Sequence, residues 1–199
     1  MTSAERQIQT LLRRAGTARS RDLVAAGISR SELSRRVAAG QLVRVARGLY
    51  ALPDYQSGEH GALVTVAKRA PGVLFCLLTA LRIHDLTTQA PFEVWIAIGN
   101  KDHPPRLDYP PLRTVRFSAV ALAAGVETHQ VDGAAVRVTS VAKTVADCFK
   151  FRNKIGLDVA LEALREARRA KKASADELWR YAKVNRVTNV MRPYLEAVA

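Results

Sequence analysis

Ser29-Arg-Ser-Glu-Leu33 and Arg44-Val-Ala-Arg-Gly-Leu-Tyr50 are the two stretches that decide the fold of the first quarter of the chain. In the first stretch, the Ser29 side chain can accept a hydrogen bond from the Glu32 backbone, and the Glu32 side chain can reach back to the Ser29 N–H. This reciprocal pattern starts a helix, and Gly40 provides its end. The sequence therefore predicts a short helix over residues 29–39, followed closely by an extended segment.

The predicted helix has one apolar face and one basic, hydroxyl-bearing face. Leu33 and Val37 lie one turn apart and point inward together with Ile28. In the major groove of DNA an arginine can pair bidentately with guanine, and a serine can donate or accept a hydrogen bond. The residues left on the outer faces have this chemistry, and they are the candidate base contacts: Arg30, Ser31, Ser34 and Arg35.

Residues 41–52 then change to an extended pattern around Gly48, which suits the left-handed position of a three-residue hairpin loop. Arg44 and Arg47 lie at or beside the tip of this predicted hairpin. Arg19 and Arg21 lie at the start of a short segment that Ser20 is expected to cap and Gly27 to end. We expect these four arginines to hold phosphates and thereby to position the protein on DNA without specifying sequence.

A further helix is predicted over residues 4–15. The first 54 residues are therefore predicted to form a winged helix-turn-helix. The alternative is a small stable bundle of three helices and a hairpin that has a solvated basic surface. Pro53-Asp54 and Ser57-Gly58 mark a boundary, because proline ends the strand ladder and small polar residues carry the chain onward.

Beyond that boundary the pattern predicts a mixed α/β domain over residues 55–199. The fold class is therefore α+β, with a winged helix-turn-helix over 1–54 and a C-terminal domain with a small sheet and several helices. Asp132-Gly133 suits the type I′ turn of a hairpin, and a proline-rich loop covers 104–111. The predicted helices are 59–70, 73–83, 141–150, 156–170, 174–184 and 187–198, and the predicted strands are 92–98, 112–117, 126–131 and 134–138.

Charge and composition favour a polyanionic partner. The net charge is +13, and residues 1–54 hold ten arginines against four acidic residues, about twice the density of excess charge found in the remainder. Cys76 and Cys148 have no partners at metal-ligand or redox spacing and are expected to be reduced core thiols. The N-terminus lacks the apolar core of a signal peptide, and the longest apolar run is too short for a bilayer span, so we expect a cytoplasmic protein that contacts no membrane.

A second basic cluster lies between residues 165 and 186, where eight cations face three acidic residues. A solvated helical face is the commoner explanation for such a run. Further contact with DNA, or docking of an acidic protein surface, is the alternative. The cluster comprises Arg165, Arg168, Arg169, Lys171, Lys172, Arg180, Lys183 and Arg186.

Patterns typical of enzymes are weak. The histidines at 60, 84, 103 and 129 lack metal-ligand spacing, so no metal is expected. The sequence has no P-loop and no G-x-G-x-x-G motif, so no cofactor is expected. A metal-dependent nuclease would need an Asp and a strand Glu, for which Asp85 and Glu93 stand in a suitable order. However, Trp95 occupies the place of the lysine that usually polarises the phosphate and its attacking water.

Three segments of the chain resemble the AbiEi-type antitoxins, the transcriptional regulators of AbiE type IV toxin–antitoxin systems. They are Ala18-Arg-Ser-Arg-Asp-Leu-Val-Ala-Ala-Gly-Ile-Ser-Arg-Ser-Glu-Leu33, Gly40-Gln-Leu-Val-Arg-Val-Ala-Arg-Gly-Leu-Tyr-Ala51, and Ser140-Val-Ala-Lys-Thr-Val-Ala-Asp-Cys-Phe-Lys150 with Lys154-Ile-Gly-Leu-Asp-Val-Ala-Leu161. Many winged-helix proteins would show segments like the first two. The third segment lies outside the predicted winged helix and therefore makes the resemblance to AbiEi-type antitoxins more specific.

The resemblance implies a winged-helix domain that binds double-stranded operator DNA and represses its own operon. It also implies a C-terminal domain that antagonises a nucleotidyltransferase toxin, a functional partner that a type IV antitoxin need not touch. Winged-helix repressors commonly bind paired half-sites, which would fit a protein that pairs on DNA. Two alternatives stay open at this point: a DNA-targeted metal-dependent nuclease, and a stand-alone winged-helix regulator whose C-terminal domain docks another protein.

Overall fold

The computed structural model describes residues 3–55, 60–89 and 91–197 and has the α+β fold that the sequence predicts. The chain forms two compact units, which comprise Met1–Gly72, Arg106–Pro110 and Gln130–Val136 in the first and Val73–Pro105, Pro111–His129 and Arg137–Ala199 in the second. The domain boundary after Asp54 stays a prediction. Ser57 and Gly58 lie outside the described residues, as do residues 59 and 198 at the ends of two predicted helices.

The first unit has the arrangement of a winged helix. Strand β1, which the sequence did not predict, pairs antiparallel with β3, and β3 pairs antiparallel with β2. The core between helices and sheet is formed by Ile8, Leu12, Ala18, Leu23, Ile28, Leu33 and Leu42. The elements are α1 (Ser3–Ala15), β1 (Thr17–Arg19), α2 (Ser20–Ala25), α3 (Arg30–Ala38), β2 (Val43–Ala46), β3 (Leu49–Ala51) and α4 (Gly61–Arg69).

Helix α4 is joined to the start of this unit by Lys68. Its ammonium group donates to the Thr17 carbonyl at 2.7 Å, to the Thr17 hydroxyl at 2.9 Å and to the Ala15 carbonyl. The Ala15 carbonyl lies in the last turn of α1, where carbonyls lack partners within the helix. Burial lowers the pKa of Lys68. One lysine therefore satisfies backbone acceptors from both α1 and β1.

The remaining described elements build a five-stranded sheet in the order β6-β5-β4-β8-β7, with seven helices. Strand β4 lies antiparallel to β5 and parallel to β8, and β5 lies parallel to β6. The strands are β4 (Leu74–Phe75), β5 (Val94–Gly99), β6 (Leu112–Phe117), β7 (Val126–Val131) and β8 (Ala134–Thr139). The helices are α5 (Leu77–Ile83), α6 (Ala119–Ala123), α7 (Val141–Lys150), α8 (Arg152–Ile155), α9 (Leu157–Arg169), α10 (Ala175–Asn185) and α11 (Thr188–Ala197).

Most of the predicted elements of this part are present, and the exceptions are short. The Asp132-Gly133 turn has φ angles of 46° and 72°, as a type I′ turn requires. The helix predicted over 73–83 is wrong at its start, where Leu74 and Phe75 form a strand between β5 and β8. Two residues carry no readable period, so only their long-range pairing identifies the strand.

A large apolar core lies in the second unit, and α7 is the most buried of its described helices. Cys76 and Cys148 are buried, unpaired thiols, and burial raises the pKa of each well above its usual value. Both cysteines therefore lie in the core, as the sequence predicts. Among the described residues, no helix combines the length and the apolar character that crossing a membrane needs.

Candidate nucleic-acid interface

Helix α3 is fixed by a serine cap at one end and a leucine anchor in its middle. The Ser29 side chain accepts from the Glu32 N–H at 3.1 Å, and Leu33 is buried in the core of the first unit. The second hydrogen bond of the predicted capping box, from the Ser29 N–H to the Glu32 side chain, is replaced by other contacts. The Glu32 carboxylate instead accepts from the Arg36 guanidinium at 2.9 Å and from Arg35 at 3.4 Å, because two cations one turn later compete for it.

Replacing Ser29 by alanine is expected to weaken the first turn of α3 by about 1 kcal/mol, since the Glu32 N–H loses its acceptor. Hydrogen exchange of the Glu32 amide should then accelerate about fivefold. Ser34→Ala is the matched control, because the Ser34 hydroxyl only donates to the carbonyl of Arg30 within the same helix, at 3.3 Å. Equal exchange in Ser29→Ala and in the unaltered protein would contradict the capping role.

The outer face of α3 is open to solvent at all four predicted base-contact positions. Ser31 lies 2.9 Å from the Ser29 hydroxyl, so the two serine side chains form a small polar group at the helix start. Arg35 stays 77% exposed despite its ion pair with Glu32, whereas Arg36 is only 18% exposed. The exposed polar side chains of this helix are Arg30, Ser31, Ser34 and Arg35.

The predicted wing is the β2–β3 hairpin. Arg44 lies opposite Tyr50, and the register shifts by a bulge between Arg44 and Ala46. Gly48 has a φ of 70°, the left-handed conformation that the loop was expected to need. Arg44 and Arg47 are both exposed. The hairpin therefore presents one arginine from its edge strand and one from its turn.

The start of α2 differs from the prediction. The N-cap position is Arg19 rather than Ser20, and its side chain does not cap the helix but donates to Asp22 at 2.8 Å and 3.3 Å. Burial raises the pKa of the Asp22 carboxyl, but the hydrogen bond and charge of Arg19 outweigh it and lower that pKa on balance. Arg21 is 68% exposed, with its Nε 3.6 Å from Asp22. Of the two arginines, Arg21 is the one better placed to meet a phosphate.

The second basic cluster does not form one continuous face. Arg169 is paired with Glu166 at 2.5 Å, and Arg180 lies 4.8 Å over the neighbouring Tyr181 ring. Arg168 donates weakly to the carbonyl of Ala173, and Lys172 donates to that of His84. Lys183 and Arg186 instead line a cavity of about 530 Å³ with Arg116 and Lys150. Arg165 and Lys171 are exposed.

The residues considered for a nuclease are not brought together as a metal site. Among the described residues, the group of carboxylates and histidines close enough to share an ion is formed by His84, Glu127 and His129. It includes neither Asp85 nor Glu93. Trp95 is buried, and its backbone N–H donates to the Thr79 hydroxyl at 2.8 Å. No spacing rule predicts this group, because its two histidines lie 45 positions apart in the sequence.

Comparisons with known proteins agree with the winged-helix assignment. Residues 6–53 match the family model described as "Transcriptional regulator, AbiEi antitoxin", which confirms the resemblance for this segment and supports a DNA-binding regulatory role. The fold is similar to the crystal structure of the RV2827C protein from Mycobacterium tuberculosis, with a TM-score of 0.65, 13% identity, and coverage of 98% of this chain and 80% of that one. No curated protein matches the sequence.

Proposed function

We propose that the chain is a sequence-specific DNA-binding repressor that acts as the antitoxin of a type IV toxin–antitoxin system, and that it is not an enzyme. Residues 1–54 are its DNA-reading domain, and residues 55–199 its antitoxin domain. The observation that carries the proposal is the open face of α3, where two arginines and two serines project from a helix anchored by Leu33.

In this proposal α3 enters the major groove and the β2–β3 hairpin follows the adjacent backbone. Arg30 and Arg35 have the length and charge to pair with guanine edges, and Ser31 and Ser34 add short-range hydrogen bonds. Arg21, Arg44 and Arg47 hold phosphates. Arg19 contributes less than the others, because its guanidinium is already bound to Asp22.

The antitoxin part of the proposal rests on the family that residues 6–53 match, whose description includes antitoxin as well as transcriptional regulator. The partner would be a nucleotidyltransferase toxin encoded beside this chain, antagonised with or without direct contact. A protein-docking role for the exposed cations of the second basic cluster, Arg165 and Lys171 among them, is an additional proposal within it.

The proposal is tested by fluorescence anisotropy with the full-length protein and the DNA upstream of its own coding sequence. A shuffled duplex of the same length and composition is the control. We expect the natural duplex to bind at least a thousandfold more tightly at physiological salt, the lower end of the range for specific DNA-binding proteins. Equal affinity for both duplexes would remove the repressor function.

The antitoxin role is tested separately by co-expression with the neighbouring toxin. The full-length protein should restore growth, and a Lys171→Glu and Arg165→Glu variant that still binds the operator but no longer restores growth would place protein docking on the second basic cluster. Failure of the unaltered protein to restore growth would contradict the antitoxin role and leave the DNA-binding role standing.

A further inference from the structure

We propose that His84, Glu127 and His129 of the second unit form a binding site for a divalent transition-metal ion, with Zn²⁺ as the preferred ion. One ring nitrogen of each histidine and one carboxylate oxygen of Glu127 all lie within 4.8 Å of one another. Two imidazoles and a carboxylate are a ligand set that Zn²⁺ takes in proteins, with a fourth position left for water.

His84 is already held as a metal ligand would be. It follows α5 as the C-cap residue and is buried, and its Nε2 donates to the Thr139 carbonyl at 2.7 Å. That carbonyl also accepts from the Thr144 hydroxyl at 2.9 Å, so its position is fixed. A hydrogen bond from one ring nitrogen to a backbone carbonyl is the usual support of a metal-binding histidine, because it leaves the lone pair of the other nitrogen free. That nitrogen is Nδ1.

Glu127 and His129 are the two proposed ligands whose side chains can move to fit a metal ion. They are alternate residues of edge strand β7 and therefore point to the same side of the sheet. His129 Nε2 lies 3.1 Å from Glu127 Oε2, and the two side chains are 37% and 47% exposed. Ligand atoms around a tetrahedral zinc are about 3.3 Å apart, so one pair is already at that distance. A bound metal ion would take the place of the hydrogen that now lies between His129 Nε2 and Glu127 Oε2.

The remaining separations need a closure of only about 1.5 Å for zinc-like bond lengths. The ring centroids of His84 and His129 are 5.7 Å apart in an edge-to-face arrangement, so the rings are neighbours before any metal binds. Since the side chains of Glu127 and His129 are partly free in solvent, their rotation can supply this closure while His84 stays fixed.

The surroundings also indicate which ions fit. Nitrogen ligands favour Zn²⁺, Co²⁺, Ni²⁺ and Cu²⁺ over Mg²⁺ and Ca²⁺, which prefer oxygen. The Lys172 ammonium lies 2.5 Å from the His84 carbonyl oxygen and 3.8 Å from an Asp85 carboxylate oxygen. The Asp85 charge thus offsets that of Lys172, which would oppose metal binding. A bound ion would tie the edge strand β7 to the end of α5.

The test uses full-length protein without an affinity tag, stripped of metal and titrated with Co²⁺ and then Zn²⁺. We expect one Co²⁺ per chain, with the visible absorption typical of four-coordinate cobalt and loss of that absorption when Zn²⁺ replaces it. Calorimetry should give one zinc site, and zinc should raise the melting temperature because it binds the folded state.

Variants separate this site from chance surface binding. His129→Ala and Glu127→Gln change exposed side chains and should each weaken zinc binding by more than about tenfold, the lower end of what changes around metal ligands cause. His103→Ala removes an exposed histidine outside the site and should have no effect. Absence of stoichiometric binding, or equal zinc affinity in His129→Ala and the unaltered protein, would overturn the proposal. Neither result depends on DNA binding.

Discussion

Replacing Lys143 by methionine is expected to lower the free energy of unfolding of the second unit by about 3–5 kcal/mol, the cost of leaving a buried charge without its partner. Lys143 lies in α7 with none of its side chain exposed, and its ammonium donates to the Asp147 carboxylate one turn later. Methionine keeps the length of the side chain and removes the charge. Asp147 then stays buried with only part of its hydrogen bonding.

The partners of this ion pair explain the size of the effect. Asn185 of α10 donates to Asp147 Oδ1 at 2.7 Å, and the Lys143 ammonium lies 4.4 Å from the centre of the Phe117 ring. Asp147 Oδ2 is buried without a hydrogen-bond partner among the described residues. Burial raises the pKa of Asp147, against the charge of Lys143. The contacts of Asp147 therefore only just offset the cost of burying its carboxylate. Once the Lys143 charge is removed, the hydrogen bond from Asn185 does not offset that cost.

The measurement is urea unfolding of the full-length protein followed by tryptophan fluorescence, since Trp95 and Trp179 both belong to the second unit. Lys150→Met, an exposed change on the same helix, is the control and should cost less than about 1 kcal/mol. A Lys143→Met and Asp147→Leu double variant should recover most of the loss, because apolar replacement of a whole buried pair is often neutral. A double variant no more stable than Lys143→Met would contradict the electrostatic explanation.

The first unit is the part that the sequence predicts best. Ser29, Gly40 and Gly48 act locally, through a cap, a helix end and a left-handed turn, and each is found where the pattern places it. Strand β1 was not predicted, and two other differences involve charged side chains. The Glu32 carboxylate binds Arg36 instead of the Ser29 N–H, and the residue at the N-cap of α2 is Arg19, whose side chain binds Asp22.

The second unit shows what a single sequence cannot reveal. Nothing in the sequence of α7 marks Lys143 as buried. Its burial is shown by its own contact with Phe117 and by the hydrogen bond that Asn185 donates to its partner Asp147. His84 and His129 are brought together by the neighbouring positions of α5 and β7, which no spacing rule encodes. Contacts between residues far apart in the sequence decide both features, and local periodicity carries no information about such contacts.

The buried pair also changes how the third segment of the family resemblance is understood. Residues 142–149 are all buried, so this segment builds the core of the second unit rather than a surface that meets a partner. A partner surface for the proposed antitoxin role is therefore to be sought on exposed residues such as Arg165 and Lys171 of the second basic cluster.

The second large effect is expected at the DNA interface. Arg30→Ala and Arg35→Ala should each weaken binding to the proposed operator by about 1–3 kcal/mol, or roughly 5- to 150-fold, because each removes a guanidinium that could pair bidentately with guanine. Binding to a shuffled duplex should change far less. Arg35 is expected to contribute although it is paired with Glu32, because Arg36 can hold that carboxylate alone at 2.9 Å.

Arg47→Ala should behave differently, since its place in the turn of the hairpin suits a phosphate contact rather than a base. We expect it to weaken binding to both duplexes equally and to reduce the slope of log K against log salt by about one. Arg192→Ala in the exposed face of α11 removes the same charge and is the matched control for net charge. Because a change in net charge acts on every duplex, only a loss confined to the natural operator identifies a base contact. Equal losses on both duplexes for Arg30→Ala, Arg35→Ala and Arg47→Ala would show that α3 does not read the sequence.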